Sequence, residues 1–307
     1  MTDAPKKIFI DGEAGTTGLQ IRDQLAGRAD VEIVSIDPDK RKDSEAKAAI
    51  LRQVDLTILC LPDAAAKESV ALVDSLGTDG PRVLDASTAH RVAPGWTYGF
   101  PELARGQEQE IVTARRVANP GCYATGAIAI LRPLVDAGLI DANQHLAINA
   151  VSGYSGGGKA MIEAYDAGRA PAFELYGLGM EHKHVPEIMA YGRLRARPIF
   201  VPSVGNFRQG MLVSLPLCLD DLPTRPHAGD LEAVLADHYA GRDHVRVAAA
   251  EDNGKLEPEA LNGSNDLEIR VFANEARRHA VIVARLDNLG KGASGAAVQN
   301  MGLMLGL

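Results

Sequence analysis

A short apolar run, Lys7-Ile8-Phe9-Ile10-Asp11, leads straight into Gly12-Glu13-Ala14-Gly15-Thr16-Thr17-Gly18, and no other stretch constrains the fold as strongly. A helical pattern follows over residues 19–25, then a second apolar run over 31–37. Strand, glycine loop, helix and strand in this order open a dinucleotide-binding βαβ unit. The spacing Gly-x-x-Gly-x-x-Gly differs from the commonest fingerprint by one position. Glycine permits the tight turn, the close approach of backbone to a pyrophosphate, and close packing of the helix. Gly12, Gly15, Thr16, Thr17 and Gly18 are therefore the expected pyrophosphate-binding residues. At the end of the second strand, Asp37 would suit the ribose 2′-hydroxyl of NAD, whereas Lys40, Arg41 and Lys42 would accommodate the 2′-phosphate of NADP. A solvated basic loop is the plain alternative. The reading favours NADP, with Ser35, Lys40 and Arg41 as contacts.

The alternation continues with a buried strand over 54–62, a helix over 64–76 and a strand over 82–87 that ends in Thr88-Ala89-His90-Arg91. Ligands of open α/β sheets bind beyond such strand ends. Residues 1–118 thus read as one Rossmann domain, a doubly wound parallel sheet. Beyond Cys122 the texture changes. Strands over 147–152, 198–203, 210–217, 267–272 and 280–286 alternate less regularly with helices. Residues 119–286 are expected to form an α+β substrate and oligomerisation domain on a mixed or antiparallel sheet. The tail, 287–307, is rich in small residues, ends in a helix, and is expected to pack back on the first domain.

With 40 acidic against 32 basic residues, the net charge of −8 argues against a nucleic-acid-binding surface. No apolar run approaches the roughly 20 residues of a membrane span. The start of the chain, Met1-Thr2-Asp3-Ala4-Pro5-Lys6-Lys7, has no signal-peptide core. Cys60, Cys122 and Cys218 are odd in number, far apart, and without metal-ligand spacing, which suits a reducing cytoplasm.

Asn119-Pro120-Gly121-Cys122-Tyr123-Ala124-Thr125-Gly126 places one cysteine between a Pro-Gly turn and an apolar run over 127–135. That run reads as a helix, with Pro133 as a kink point. Cys122 then sits at or near a helix N-terminus, where backbone N–H groups and the dipole favour a thiolate. A thiolate beside such donors is equipped to attack an acyl group. A buried structural thiol is the alternative, and it is the preferred reading for Cys60 within its apolar strand.

These stretches match a known family. The chain resembles the N-acetyl-γ-glutamyl-phosphate reductases of arginine biosynthesis, in their shorter, type 2 form. The resemblance is carried by the glycine loop, Asp85-Ala86-Ser87-Thr88-Ala89-His90-Arg91, Tyr98-Gly99-Phe100-Pro101-Glu102-Leu103, the cysteine motif, Ser152-Gly153-Tyr154-Ser155-Gly156-Gly157-Gly158-Lys159, His182-Lys183-His184-Val185-Pro186-Glu187, and the 287–301 tail. The cysteine motif is shared with aspartate-semialdehyde dehydrogenases. The resemblance implies NADPH-dependent reduction of an acyl phosphate to an aldehyde through a Cys122 thioester, by a homo-oligomer, dimeric or tetrameric.

Such chemistry needs a proton shuttle, for which His182 and His184 are the candidates. His184 is preferred, with Glu187 three residues on to orient its imidazole if the segment is helical, and with Pro186 in a first turn. A metal on the histidine pair lacks a third ligand of convincing spacing. Arg91 with Ser87, and Asn119, Ser155 and Lys159, are the expected substrate contacts. Gly156, Gly157, Asn288 and Gly290, with Lys291, are expected to complete the cofactor pocket. The rival readings are an aspartate-semialdehyde dehydrogenase, a carrier-linked reductase of lysine synthesis, and a non-catalytic NADP-binding sensor.

Overall fold

The computed structural model describes residues 4–250 and 254–307, so Met1, Thr2 and Asp3 of the expected N-terminal lead lie outside the described residues. The chain divides into two compact units. The first holds residues up to Pro101, Gly106–Pro120 and Ala293–Leu307; the second holds Glu102–Arg105 and Gly121–Gly292.

In the first unit, β1 (Lys6–Asp11), α1 (Thr16–Leu25), β2 (Val31–Val34), α2 (Ser44–Leu51), β3 (Leu56–Leu59), α3 (Asp63–Ser75), β4 (Arg82–Asp85), β5 (Thr97–Tyr98), α4 (Gln107–Thr113) and β6 (Arg116–Ala118) follow in turn. The strands form one sheet in the order β2-β1-β3-β4-β6-β5, parallel throughout. Successive strand side chains face opposite sides. Ile8 and Ile10 therefore enter one core with Ile21, Leu25 and Ile58, while Phe9 enters the other with Leu51, Leu59 and Val70. Both faces are buried, which is why the strands read as near-continuous apolar runs. The strands are shorter than those runs. Pro62 already caps α3, and Asp37 caps a 3₁₀ turn by accepting from Asp39 N–H. Helix α2 carries a signal that periodicity alone passes over: Asp43 accepts from the N–H groups of Glu45 and Ala46, a local N-cap.

The second unit contains α5 (Cys122–Asp136), β7 (Ala147–Gly153), α6 (Gly158–Asp166), β8 (Phe173–Leu175), α7 (Val185–Tyr191), β9 (Ile199–Gly205), β10 (Met211–Cys218), α8 (Ala228–Tyr239), β11 (Val245–Val247), β12 (Leu267–Asn274) and β13 (His279–Leu286). Its sheet runs β11-β12-β13-β10-β7-β9-β8. The β7–β9 and β11–β12 pairs are parallel and the rest antiparallel, the mixed sheet expected. Val213, Leu215, Ile282 and Phe200 are buried on the inner face. Helix α5 comes so close to it that a Cβ on Gly126 would stand 2.8 Å from Val213 Cγ2.

The chain ends in α9 (Gly295–Leu305), whose Ala297, Met301 and Met304 share the first unit's core with Ile8 and Leu84. The return into the first unit starts at Ala293 rather than at residue 287. Residues 287–292 stay with the second unit because their side chains are tied there. Asp287 accepts from Gln209 and Gly263, and Lys291 pairs with Glu102.

Candidate active site

In the first unit, the glycine loop joins β1 to α1 under tight steric limits. Gly12 has φ +96°, and a Cβ there would lie 2.3 Å from the Cys60 carbonyl oxygen. A Cβ on Gly18 would lie 2.4 Å from the Gly12 carbonyl oxygen. Both positions exclude any side chain, and the helix seats on the loop because of it. Gly15 is the N-cap of α1 and supplies no side-chain cap, so the first-turn N–H groups, with Thr16 and Thr17 beside them, face the loop.

A cavity of about 590 Å³ opens at this loop. Gly12 and Gly15 line it, and so do Arg41, Lys42, Ser44 and Lys47. Lys40 and Ser35 are not among its lining residues; the Ser35 hydroxyl donates to Glu13 at 3.0 Å and accepts from Arg22 at 3.3 Å. Asp37, the residue that would suit a free ribose hydroxyl, spends one carboxylate oxygen on Asp39 N–H. Lys47 escaped the sequence reading because it stands on α2, one helix beyond the basic trio. Its Nζ lies 2.8 Å from Asp11 Oδ2, which also accepts from Ser69. Burial pushes the Cys60 thiol up to about 12, with Asp85 and Asp11 adding to it; the residue packs against the first unit's core and also lines the cavity.

At the C-terminal end of β4, Asp85 is fully buried and organises the polar cluster. It accepts from Ser87 N–H and the Ser87 hydroxyl, and meets His90 Nδ1 at 2.6 Å. The His90 ring stacks on Trp96 at 4.2 Å between centroids. Arg91, buried, donates through Nε to the Asn119 carbonyl at 3.0 Å and through Nη2 to the Ala86 carbonyl at 3.3 Å. Asn119 donates to the Ala293 carbonyl and accepts from Asn300 Nδ2. The side chains of Ser87 and Asn119, expected to contact substrate, are thus engaged within the fold, because a polar group this deeply buried must find its partners there.

In the second unit, Cys122 is the first residue of α5, five residues before the expected start of the apolar run, and Pro133 lies inside the helix. Gly121 is the N-cap; its carbonyl accepts from Thr125 N–H and Oγ1, and its N–H donates to Glu187 Oε2 at 3.1 Å. Glu187, expected to orient the His184 imidazole, therefore reaches the cysteine turn itself. His184 is the N-cap of α7, buried, with Pro186 in the first turn as expected. His184 N–H donates to His182 Nδ1 at 3.2 Å, which leaves Nε2 as the protonated nitrogen of a neutral His182. The two rings lie 4.7 Å apart and nearly perpendicular. Tyr123 joins them, its ring 5.8 Å from His182 and 5.9 Å from His184, its hydroxyl donating to the Ser203 carbonyl. Burial pushes the Tyr176 phenol up to about 12; its hydrogen bond with Tyr123 works the other way, and the charge on Cys122 adds to the rise. Tyr123 belongs to the cysteine motif, whereas no local motif announces Tyr176.

The Ser152–Lys159 loop forms a 3₁₀ turn over Tyr154–Gly157 before α6. Ser155 Oγ accepts from Asn288 Nδ2 at 3.0 Å, and Asn288 Oδ1 accepts from Gly210 N–H at 2.8 Å. These two bonds tie the loop to the turn after β13 and to the start of β10 within the second unit. Gly290 is required by packing, since a Cβ would stand 1.9 Å from the Ser264 carbonyl oxygen. Gly156 approaches Ser152 Oγ and Gly157 approaches Met161. The Lys159 side chain is 84% exposed and pairs loosely with Glu163 at 3.8 Å.

Comparison with known proteins matches residues 12–111 to the semialdehyde dehydrogenase NAD binding domain and residues 122–288 to the semialdehyde dehydrogenase dimerisation domain. An N-acetyl-gamma-glutamyl-phosphate reductase of Brucella ovis is 53% identical over 98% of this chain and 99% of its own. The enzyme of that name from Brucella anthropi is 54% identical, over 98% of each chain. Among solved structures, aspartate semialdehyde dehydrogenase from Francisella tularensis aligns with a TM-score of 0.73 at 13% identity, over 98% of this chain and all of that one. The Candida albicans enzyme with NADP aligns at 0.65 and 14% identity, over 98% of each chain. At such identities the structural likeness speaks for the fold alone.

Proposed function

The chain belongs to the N-acetyl-γ-glutamyl-phosphate reductase family, and on that premise we propose that it reduces N-acetyl-γ-glutamyl phosphate to N-acetylglutamate semialdehyde and phosphate with NADPH. The observation that carries the reading is Cys122 at the head of the 15-residue helix α5, next to Tyr123, whose ring packs against His182 and His184. A helix N-terminus stabilises the thiolate and offers N–H donors to an oxyanion.

Cys122 Sγ attacks the γ-carbonyl carbon, and the phosphate leaves with the electron pair of the broken C–O bond. The product is a thioester, which accepts hydride more readily than a carboxylate does, and NADPH when bound supplies that hydride. Collapse of the resulting thiohemiacetal returns the thiolate to Cys122 and releases the aldehyde. His184 moves the proton, as general base toward the thiol and general acid toward the developing alkoxide. Glu187 fixes the cysteine turn through Gly121 N–H.

The first unit fits the cofactor. Its glycine loop packs backbone on backbone at Gly12 and Gly18, the tight turn such a pyrophosphate loop needs, and Arg41, Lys42 and Lys47 line the adjoining cavity. That cationic lining, with Asp37 turned to its own backbone, supports NADP over NAD. That Cys60, Cys122 and Cys218 form no disulfide supports a reducing compartment, the cytoplasm. The outer face of the second sheet carries an apolar hollow of about 890 Å³ lined by Val151, Val201, Leu212, Phe272 and Val281, which supports a homodimer formed on that face.

The test is phosphate-dependent reduction of NADP with N-acetylglutamate semialdehyde, followed by NADPH absorbance. Aspartate semialdehyde and NAD serve as parallel substitutes. Turnover with the acetylated aldehyde and NADP is expected. Turnover with aspartate semialdehyde alone would move the substrate to the β-aspartyl series, and silence with both would overturn the reading.

A further inference from the structure

Lys291 is a lysine at 1% exposure, in the turn that packs on Cys122. Residues 290–294 form a single π turn after β13, in which Gly292 N–H donates to the Asp287 carbonyl at 2.9 Å. This turn touches the cysteine closely. A Cβ on Gly292 would stand 2.8 Å from Cys122 Cβ and 3.1 Å from the Asp287 carbonyl oxygen. A displacement of the turn by a few tenths of an ångström therefore changes the wall against which the thiol rests.

Three side chains anchor the turn. Asp287 accepts from Leu289 and Gly263 N–H, and Asn288 bridges Gly210 and Ser155. The third anchor is ionic: Lys291 Nζ lies 2.8 Å from both carboxylate oxygens of Glu102, itself 3% exposed. Burial draws Lys291 toward its neutral form and Glu102 opposes this. An ammonium so deeply buried stays charged only where its partner is, so the pair ties the π turn to residue 102, 189 positions away in the chain.

We propose that Glu102 and Lys291 are a positioning pair for the nucleophile: their ion pair seats the 287–292 turn so that Gly292 packs on Cys122 and holds the thiol at the head of α5. Lys291 on this account serves the cysteine, not the cofactor. The proposal rests on the reading of Cys122 as the nucleophile.

The test compares wild type with Lys291→Met, Lys291→Arg and the double variant Glu102→Gln/Lys291→Met. The rate of Cys122 alkylation by iodoacetamide is measured against pH without turnover, beside NADP affinity, steady-state kinetics and melting temperature. Expected for Lys291→Met is a kcat lower by about 10- to 100-fold, unchanged NADP affinity, and an alkylation midpoint displaced by at least about half a pH unit. Lys291→Arg should restore part of both. If Lys291→Met does not fold, the double variant leaves no lone buried charge and carries the same measurements. A normal alkylation profile with weakened NADP binding would assign Lys291 to the cofactor and overturn the proposal. So would a normal profile and normal affinity with only a lower melting temperature. The nucleophile reading fails separately, through a Cys122→Ser variant that still turns over.

Discussion

Cys122 owes its setting to neighbours of very different sequence distance. Gly121 lets the chain enter α5, Glu187 holds Gly121 N–H, and Gly292 leaves space for the cysteine's own Cβ. Serine in its place keeps the packing but is a far weaker acid than a thiol and gives an ester instead of a thioester. Cys122→Ser should therefore fold normally and lose turnover by about 10⁴-fold or more, read by the NADPH assay beside circular dichroism; near-normal activity would remove the thioester route. Cys60, pushed up to about 12, should resist iodoacetamide at about pH 8 while Cys122 reacts. Of the two histidines, His184 is the more buried and begins α7, whereas Nδ1 of His182 is taken by His184 N–H. His184→Asn should lower kcat by about 10²- to 10⁴-fold and His182→Asn by much less. The opposite ranking in matched kinetics would reassign the acid–base group.

At the scale of elements, the glycine loop and the β12–β13 pair show how local sequence and long-range packing divide the work. Gly12→Ala places a Cβ against the Cys60 carbonyl at a left-handed φ, a strain of about 1–3 kcal/mol. It should lower the melting temperature and weaken NADP binding together, measured by calorimetry; retained affinity would place the pyrophosphate elsewhere. Glu268 on β12 is 4% exposed and meets Arg270 and Arg285 at 2.8 Å and Arg246 at 3.2 Å. Burial opposes its ionisation, yet the three guanidinium groups outweigh burial and hold the carboxyl below its usual 4.5. A depressed carboxylate contributes its full stabilisation at neutral pH and loses it as pH falls below about 4.5 through the folded value. Glu268→Gln should cost about 3 kcal/mol at pH 7, and the gap to wild type in denaturant melts should narrow below pH 4.5. A gap constant across that range would mean that Glu268 acts by packing alone.

For the molecule as a whole, one face of the second sheet is covered by α5 and α8, and the other carries an open apolar hollow. Phe173 at 56% exposure and Val281 at 37% stand on that outer side, an apolar area that self-association would bury. Phe173→Glu with Val281→Lys should shift sedimentation toward monomer and leave the NADP-binding unit's secondary structure intact. Unchanged sedimentation would put the contact on another surface. No helix among the described residues is long and apolar enough to cross a membrane.

The strand–glycine-loop–helix opening, the parallel first sheet, the mixed second sheet and the helix behind Cys122 were legible in the sequence, because each rests on the local character of a few consecutive residues: a turn only glycine can make, a short apolar run, a Pro-Gly break. The partners of buried charges were not. Glu187 on Gly121, Lys47 on Asp11, and Lys291 on Glu102 join residues 66, 36 and 189 positions apart. Ser87, Asn119, Ser155 and Asn288, expected as ligand contacts because they are polar and flank motifs, also hydrogen-bond within the fold, to partners no local pattern announces. Residue type announces that a buried polar group needs a partner; which partner it meets is decided by packing alone.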